Sequence, residues 1–360
     1  MTEPARSPAR VLVTGHRGYI GAVLVPLLRD LGHDVVGVDS DLYRGCDFWP
    51  AAADGLPTLA ADVRDIRATD LAGVEAIIHL AALSNDPLGD LDPEVTDEIN
   101  RAASVRLARL AREAGVARYL FSSSCSNYGA TGDAPVDEEG MLRPLTPYAI
   151  SKVRVEQEVA RLADARFSPT FLRSATAYGV SPRLRLDLVV NDLAAWAVVT
   201  GRVRVRSDGT PWRPLVHVED IARAFIAILA APRAAVHNQA FNVGVSGENY
   251  RVRDLAEMVS RAVPGSRIEY AEGAGPDPRS YRVEFGKLAR AVPAFVPRWT
   301  VSAGIGQLVH AFRDAGLTGA DLEDPRFRRV RRVRQLMADG SLDARLRRRA
   351  EAPARTSGAS

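Results

Sequence analysis

The sequence predicts an α/β fold, a doubly wound parallel sheet with a smaller α/β C-terminal lobe. Three observations predict it. Short apolar strands alternate with helical patterns from Arg10 to Phe121. A glycine-spaced turn, Gly15-His16-Arg17-Gly18-Tyr19-Ile20-Gly21, joins the first strand to the first helix. The second strand, Asp34 to Asp39, ends in a carboxylate about twenty residues beyond those glycines.

The elements follow in order. Arg10 to Thr14 is a short apolar strand, and Ala22 to Leu31 reads as a helix. Between them, Gly15 permits a tight turn, Gly18 lets the backbone approach a pyrophosphate, and Gly21 lets helix and strand pack closely. The amides of Tyr19 and Ile20 at the helix start are expected to hold the phosphates. Asp39 stands where a carboxylate accepts from an adenosine ribose hydroxyl and repels a 2′-phosphate, so NAD is expected rather than NADP. This is the signature of a Rossmann dinucleotide site. Thr58 to Ala61 is a short strand, after which Asp62, with Val63 beside it, is expected to meet the adenine amino group. Ala76 to Ala82 is a buried strand whose end, Leu80-Ala81-Ala82, is small enough for a cofactor to lie close. Glu94 to Gly115 reads as one long helix, with Asn100 bracing the adjacent loop. Arg118 to Phe121 is the next strand and delivers Ser122, Ser123 and Ser124. In such sheets ligands sit beyond the carboxyl ends of the strands, where the glycine turn, Asp39, Ala81 and Ser124 all fall.

Tyr148 and Lys152 are four residues apart. On a helix that spacing puts both on one face, and an ammonium beside a phenol favours the phenolate. A phenol tuned this way takes or gives a proton near neutral pH, with Ser124 orienting the substrate oxygen. Lysine occurs only at 152 and 287 in a chain whose other basic residues are arginine. A compact ammonium is therefore expected to be required at 152, where a planar guanidinium does not serve.

Together these pieces resemble the extended short-chain dehydrogenase/reductases, in particular the NAD-dependent nucleotide-sugar epimerase/dehydratase family. The resemblance rests on Thr14 to Gly21, Asp39, Asp62-Val63, Ala81-Ala82, Ser122 to Gly129 and Tyr148 to Lys152, and continues through Leu172-Arg173, Arg213 to Asp220 and Phe241 to Gly244. It implies Ser124, Tyr148 and Lys152 as catalytic residues, with Ser122, Tyr148, Lys152 and Asn100 also serving the cofactor. For the substrate it implies Ser84, Ser124, Cys125, Ser126, Thr176, Asn191, Arg213 and Arg279. Asn191 resembles a helix-start residue near the diphosphate, and Arg213 and Arg279 offer forks of donors to phosphate oxygens. Two departures matter. Thr176 stands where the family carries an Asn, and Cys125-Ser126 replace the Asp-Glu pair of the 4,6-dehydratases.

In the second half, Pro169 to Arg173 is a strand and Leu188 to Thr200 a helix. Val203 to Val216 reads as a hairpin around Ser207 to Thr210. His217 is expected to be packed and hydrogen-bonded, ahead of a helix from Ile221 to Ala230. Residues 10–172 with about 213–245 are expected to form the NAD domain, and 173–212 with 246–316 the substrate domain. An Arg-rich helical extension (317–351) and a disordered tail (352–360) follow.

Composition excludes several classes. At 360 residues, 46% hydrophobic and 25% charged, the chain is an ordinary globule. A net charge of +3 does not indicate nucleic acid, and no apolar run reaches membrane-spanning length. The first ten residues lack the apolar core of a secretory signal, and two cysteines make no disulfide framework or metal site. A cytoplasmic homodimer acting on a nucleotide sugar is expected, with no nucleic-acid or membrane partner. The expected reaction is epimerisation by transient oxidation of a sugar hydroxyl at C4, followed by re-reduction. The alternatives are a dehydratase or ketoreductase of the same family, or a non-catalytic NAD-binding sensor or scaffold.

Overall fold

A computed structural model describes residues 8–50, 55–132, 134–273 and 279–349. The expected disordered tail lies outside the described residues. Fourteen described strands occur in chain order. They are β1 (Arg10–Thr14), β2 (Asp34–Asp39), β3 (Thr58–Ala60), β4 (Ala76–His79), β5 (Arg118–Ser124), β6 (Pro135–Val136), β7 (Ser168–Ser174), β8 (Thr176–Tyr178), β9 (Arg202–Val205), β10 (Trp212–His217), β11 (Gln239–Val243), β12 (Asn249–Arg251), β13 (Arg267–Tyr270) and β14 (Arg282–Val283).

Seven of them make one all-parallel sheet in the order β11-β7-β5-β4-β1-β2-β3. The pleat sends neighbouring side chains to opposite faces. On β1, Val11 and Val13 enter one apolar cluster with Leu24, Leu28, Phe225 and Ile228. Leu12 enters the other, with Leu107, Ala108, Val155 and Val159. Both faces are therefore covered by helices, which is why the strands read as unbroken apolar runs. β1 lies between β2 and β4, so the strand order reverses there and a crevice opens beyond their carboxyl ends.

Two local devices shape that crevice. His79 on β4 bonds Thr14 Oγ1 at 2.6 Å, and Thr14 Oγ1 accepts from the Ala81 amide at 3.2 Å. This pins the β4 loop against the glycine turn, and burial holds His79 neutral, its pKa lowered to about 3. The expected long helix 94–115 is interrupted by a π-helical turn, Asp97–Ala102, before the helix Ala103–Glu113. The widened turn carries Asn100 inward, where its amide accepts from Leu83 N and donates to Leu83 O and Ser151 Oγ.

The parallel pair β14-β6 packs Val136 and Val283 on the large sheet's first cluster, the three-stranded sheet β12-β10-β8 reaches both lobes, and the parallel pair β13-β9 belongs to the second lobe. Its apolar cluster joins the helices Val189–Thr200, Val252–Ala262 and Val301–Asp314. The expected hairpin between 203 and 216 does not form. β9 pairs with β13, while β10 pairs with β8 and β12, so the Gly209 turn sends two consecutive strands to different sheets. The register follows burial: Val203 and Val205 face the lobe's cluster, and Leu215 on β10 reaches the same cluster from another side.

The chain after Asp314 crosses between the lobes. Leu322 and Phe327 belong to the second-lobe cluster. Val333 and Leu336, on the helix Arg329–Ala338, belong to a cluster of the large sheet. Most arginines described here are spent within the chain: Arg328 on Asp192, Arg331 on Glu323, Arg345 on Glu98 and Arg347 on Asp65.

Gly15 has φ +71°, and a Cβ there would stand 2.8 Å from Ala81 N. Gly32 has φ +83° but open surroundings, its nearest neighbour being Pro8 at 3.6 Å. Gly15→Ala is therefore expected to lose clearly more stability than Gly32→Ala, whose cost is about 1–3 kcal/mol from backbone strain alone. Denaturant midpoints of the two variants check this, and equal losses would contradict the tight loop–loop approach.

Candidate active site

A cavity of about 960 Å³ occupies the crevice, walled by both lobes and by the C-terminal extension. At its base lie Gly15, Gly18 and Gly21. A Cβ at Gly21 would sit 2.4 Å from the Gly15 carbonyl oxygen, so the turn admits no side chain there. Asp39 lines the cavity and accepts from the amides of Arg17 (3.0 Å) and Asp41 (2.8 Å), which aim its remaining lone pairs into the space. The close glycine turn at the start of the helix and this acceptor fit the phosphates and the ribose of a dinucleotide. Leu80, Ala81 and Ala82 line the same wall, as do Tyr19, Ile20 and Val63.

The helix Pro147–Ala160 starts at Thr146, whose hydroxyl accepts from Ala149 N and donates to Asp86 at 2.5 Å. Its first turns place Tyr148 and Lys152 in the cavity. The Tyr148 phenol faces the Ser124 hydroxyl, whose Oγ accepts from Ser126 N and Ser126 Oγ. Lys152 donates to the Ser122 carbonyl at 2.7 Å and stands over the Phe121 ring. The catalytic set expected from sequence is therefore assembled at the end of β5, on the cavity that holds Asp39.

Its electrostatics differ from the expectation. Burial pushes the Tyr148 phenol up to about 12, with the Asp86 charge adding to the rise and the Ser124 bond opposing it. Lys152 Nζ lies 5.7 Å from the Tyr148 ring centroid, and burial lowers its own pKa to about 7. The pair is thus a neutral phenol beside an easily discharged amine, because desolvation outweighs their mutual attraction.

Two expected contacts lie off the cavity wall. Asn191 does not line the cavity: it is fully buried, accepts from Gly179 N and donates to Arg185 O and Tyr19 OH, stapling the turn after β8. Cys125 points away, its thiol donating to the Arg173 carbonyl, and burial raises its pKa. Asn100 braces Leu83 and Ser151 behind the wall, the loop-bracing place expected of it. Asp62 lines the cavity, but both its oxygens are held by Arg64. Ser84, Ser122, Ser126 and Thr176 do line it. So do Arg213 and Arg279, the latter paired with Asp86 at 2.7 Å. His217 caps the helix Val218–Ala230 and stacks on Trp299, a packed residue as expected.

Sequence reasoning missed Asp86, Arg185, Asp187 and Glu156. Glu156 had a signal: it continues the four-residue stripe of Tyr148 and Lys152. Its carboxylate binds Arg173 (2.7 Å), Ser123 (2.5 Å) and Asn127 (3.1 Å) and so holds the helix on the sheet. Asp187, paired with Arg185 and bonded by Asn85, comes from the second lobe, and no spacing announces it.

Comparison with known proteins agrees with this geometry. The family model described as NAD dependent epimerase/dehydratase matches residues 11–244. A UDP-glucose 4-epimerase of Mycolicibacterium smegmatis is 31% identical over 325 residues, 85% of this chain and 99% of that protein. The solved structure of MoeE5 in complex with UDP-glucose and NAD is 28% identical, with a TM-score of 0.73, covering 85% of this chain and 99% of that one. DesIV, a dTDP-glucose 4,6-dehydratase from Streptomyces venezuelae solved with NAD bound, is 25% identical with a TM-score of 0.74, covering 88% and 99%.

Two outcomes follow from the buried charges. Arg173→Met leaves the Glu156 carboxylate buried and short of its cation, an expected loss of about 3–5 kcal/mol in denaturant titration. Lys152 has a folded pKa below its unfolded value, so above pH 7 the unfolded chain binds the extra proton and stability rises with pH. Ligand-free wild type should therefore gain on the order of 1–2 kcal/mol relative to Lys152→Met between pH 7 and 9. A pH-independent difference would refute the buried amine.

Proposed function

The chain belongs to the NAD-dependent epimerase/dehydratase family, and on that premise we propose that it epimerises a UDP-hexose at C4. The cofactor is NAD, and the enzyme is one of sugar-nucleotide chemistry. The observation that carries the proposal is the Ser124–Tyr148–Lys152 set on the cavity of Asp39, with Cys125-Ser126 where an eliminating acid pair would stand.

The residues divide the work as follows. Ser124 holds the reacting hydroxyl oxygen and relays its proton toward Tyr148. Tyr148 takes that proton as the carbonyl forms and returns it on re-reduction. Bound NAD supplies a reversible hydride acceptor and, when oxidised, a positive charge that opposes the burial penalty on the phenolate. Lys152, fixed by the Ser122 carbonyl, adds a second cation when protonated. Glycines 15, 18 and 21, the amides at 19 and 20, and Asp39 hold the dinucleotide. On the substrate side, Arg213 and Arg279 face the diphosphate, while Ser84, Ser126 and Thr176 contact the sugar. Rotation of the free keto sugar between the two half-reactions inverts the centre.

Dehydration is less well supported. The cavity carboxylate acting on Tyr148, Asp86, is held by Arg279 and Thr146 and is not placed as a free acid. The two-domain division at 172–173, with 213–245 returning to the NAD domain, is proposed with this function. So are a cytoplasmic setting and a homodimer through the helices near 94–115 and 148–162. No described helix is long and apolar enough to cross a membrane.

Tyr148→Phe is expected to lower turnover of UDP-galactose to UDP-glucose about 10²–10⁴-fold while NAD stays bound. Near-normal turnover would remove Tyr148 as the base. Run in deuterated water, the wild-type product should carry no solvent deuterium on a sugar carbon. Incorporation would turn the assignment to elimination or enolisation.

A further inference from the structure

Arg329 opens the helix Arg329–Ala338 and is 2% exposed. Among the described residues it makes no hydrogen bond or ion pair, and its Nη1 is sealed from solvent without a partner. Its guanidinium lies 3.7 Å from the centroid of the Tyr43 ring, on the wall of the cavity. Three other buried arginines have counter-charges: Arg173 has Glu156, Arg185 has Asp187 and Arg328 has Asp192. A buried guanidinium with only a ring for company is costly, and an aromatic face does not replace an anion. The neighbourhood makes the deficit worse. Arg185 repels Arg329, and Asp187, the carboxylate that attracts it, already has both oxygens on Arg185. This corner of the cavity holds one positive charge more than it balances.

The surroundings say which anion fits. Arg185 stands 6.0 Å from the ring of Tyr19, in the glycine turn, and Tyr43 follows the Asp39 loop. Arg183 donates to the carbonyls of Arg17, in the glycine turn, and of Tyr43, so the ring under Arg329 stands beside the phosphate-binding turn on the cavity that Asp39 also lines. We propose that Arg329 completes the cofactor site by binding the pyrophosphate of the dinucleotide, and that residues 317–349 are a strap which cofactor binding locks across the cleft. The strap is anchored on both lobes, by Phe327 on one and by Val333 and Leu336 on the other. Arg348 and Arg332 add bonds to the carbonyls of Asp41 and Arg44 beside the ribose site. A nucleotide-sugar diphosphate has the same chemistry, but Arg213 and Arg279, joined to each other and to Asp86, already offer it donors. The inference rests on the cleft being the NAD site.

The test compares wild type, Arg329→Gln and Arg329→Lys. NADH binding is followed by its fluorescence on nucleotide-free protein, and UDP binding by calorimetry on NAD-loaded protein. Arg329→Gln should weaken NADH about tenfold or more, the worth of one charge-assisted bond, and leave UDP within about twofold. Arg329→Lys should fall between. The ligand-free Tm of Arg329→Gln should rise, since an uncompensated charge is removed, whereas a merely structural Arg329 would make it fall. Unchanged NADH affinity, or a loss confined to UDP, overturns the proposal. If wild type itself fails to bind NADH, the cofactor reading falls and takes this one with it; tight wild-type binding with an unaffected variant sinks this one alone. Hydrogen exchange on wild type decides the matter even if the glutamine variant does not fold. NAD should protect the amides of 329–349, and equal exchange with and without NAD would count against the strap.

Discussion

The Glu156–Arg173 ion pair is the constraint on which the site depends. Glu156 lies on the helix that carries Tyr148 and Lys152, and Arg173 lies on β7. The carboxylate also takes Ser123 and Asn127, which flank Ser124 in sequence, while Arg173 reaches Tyr128 and Tyr128 reaches Asn242 on β11. One buried network therefore fixes the catalytic helix, the end of β5 and two further strands relative to one another. A buried pair gains little net stability, since desolvation offsets its attraction. Its value is geometric: the phenol, the hydroxyl and the amine keep one arrangement because each is attached to a charge that cannot move without being stranded.

That arrangement is not tuned for catalysis by the protein alone. Burial leaves Tyr148 protonated and leaves Lys152 ready to lose its charge near neutrality. Arg329 shows the same imbalance at the other end of the cleft, as a cation without an anion. Both are what a site looks like when part of its charge belongs to a bound dinucleotide. A bound dinucleotide would supply positive charge at its pyridinium for the phenol and negative charge at its pyrophosphate for the arginine.

Much of the fold was legible because it is written locally. Glycines at 15, 18 and 21 constrain a turn whatever surrounds it, and Asp39 is placed by the length of one βαβ unit. Tyr148 and Lys152 were legible from helical spacing, and Lys152 from the scarcity of lysine. What failed depended on partners distant in sequence. β9 and β10 looked like a hairpin until β13 and β8 claimed them. Asn191 had the right place on its helix, but its side chain was taken by Gly179 and Tyr19. Cys125 followed the catalytic serine, yet the short helical turn after β5 rotated it to the back of the strand.

By itself, the sequence determined the sheet, the cofactor class and the grouping of Ser124, Tyr148 and Lys152, because each rests on backbone geometry or on spacing within one element. Tertiary structure decided the charge states and the use of the C-terminal arginines. A pKa depends on burial and on neighbours from other elements, and neither has a local pattern. Read along the chain, Arg328 to Arg334 are a basic run; folded, one pairs with Asp192, one with Glu323, and Arg329 alone is sealed against Tyr43 on the cavity wall. Only the packing of the two lobes, which brings a residue near the end of the chain to the loop after the second strand, could assign that difference.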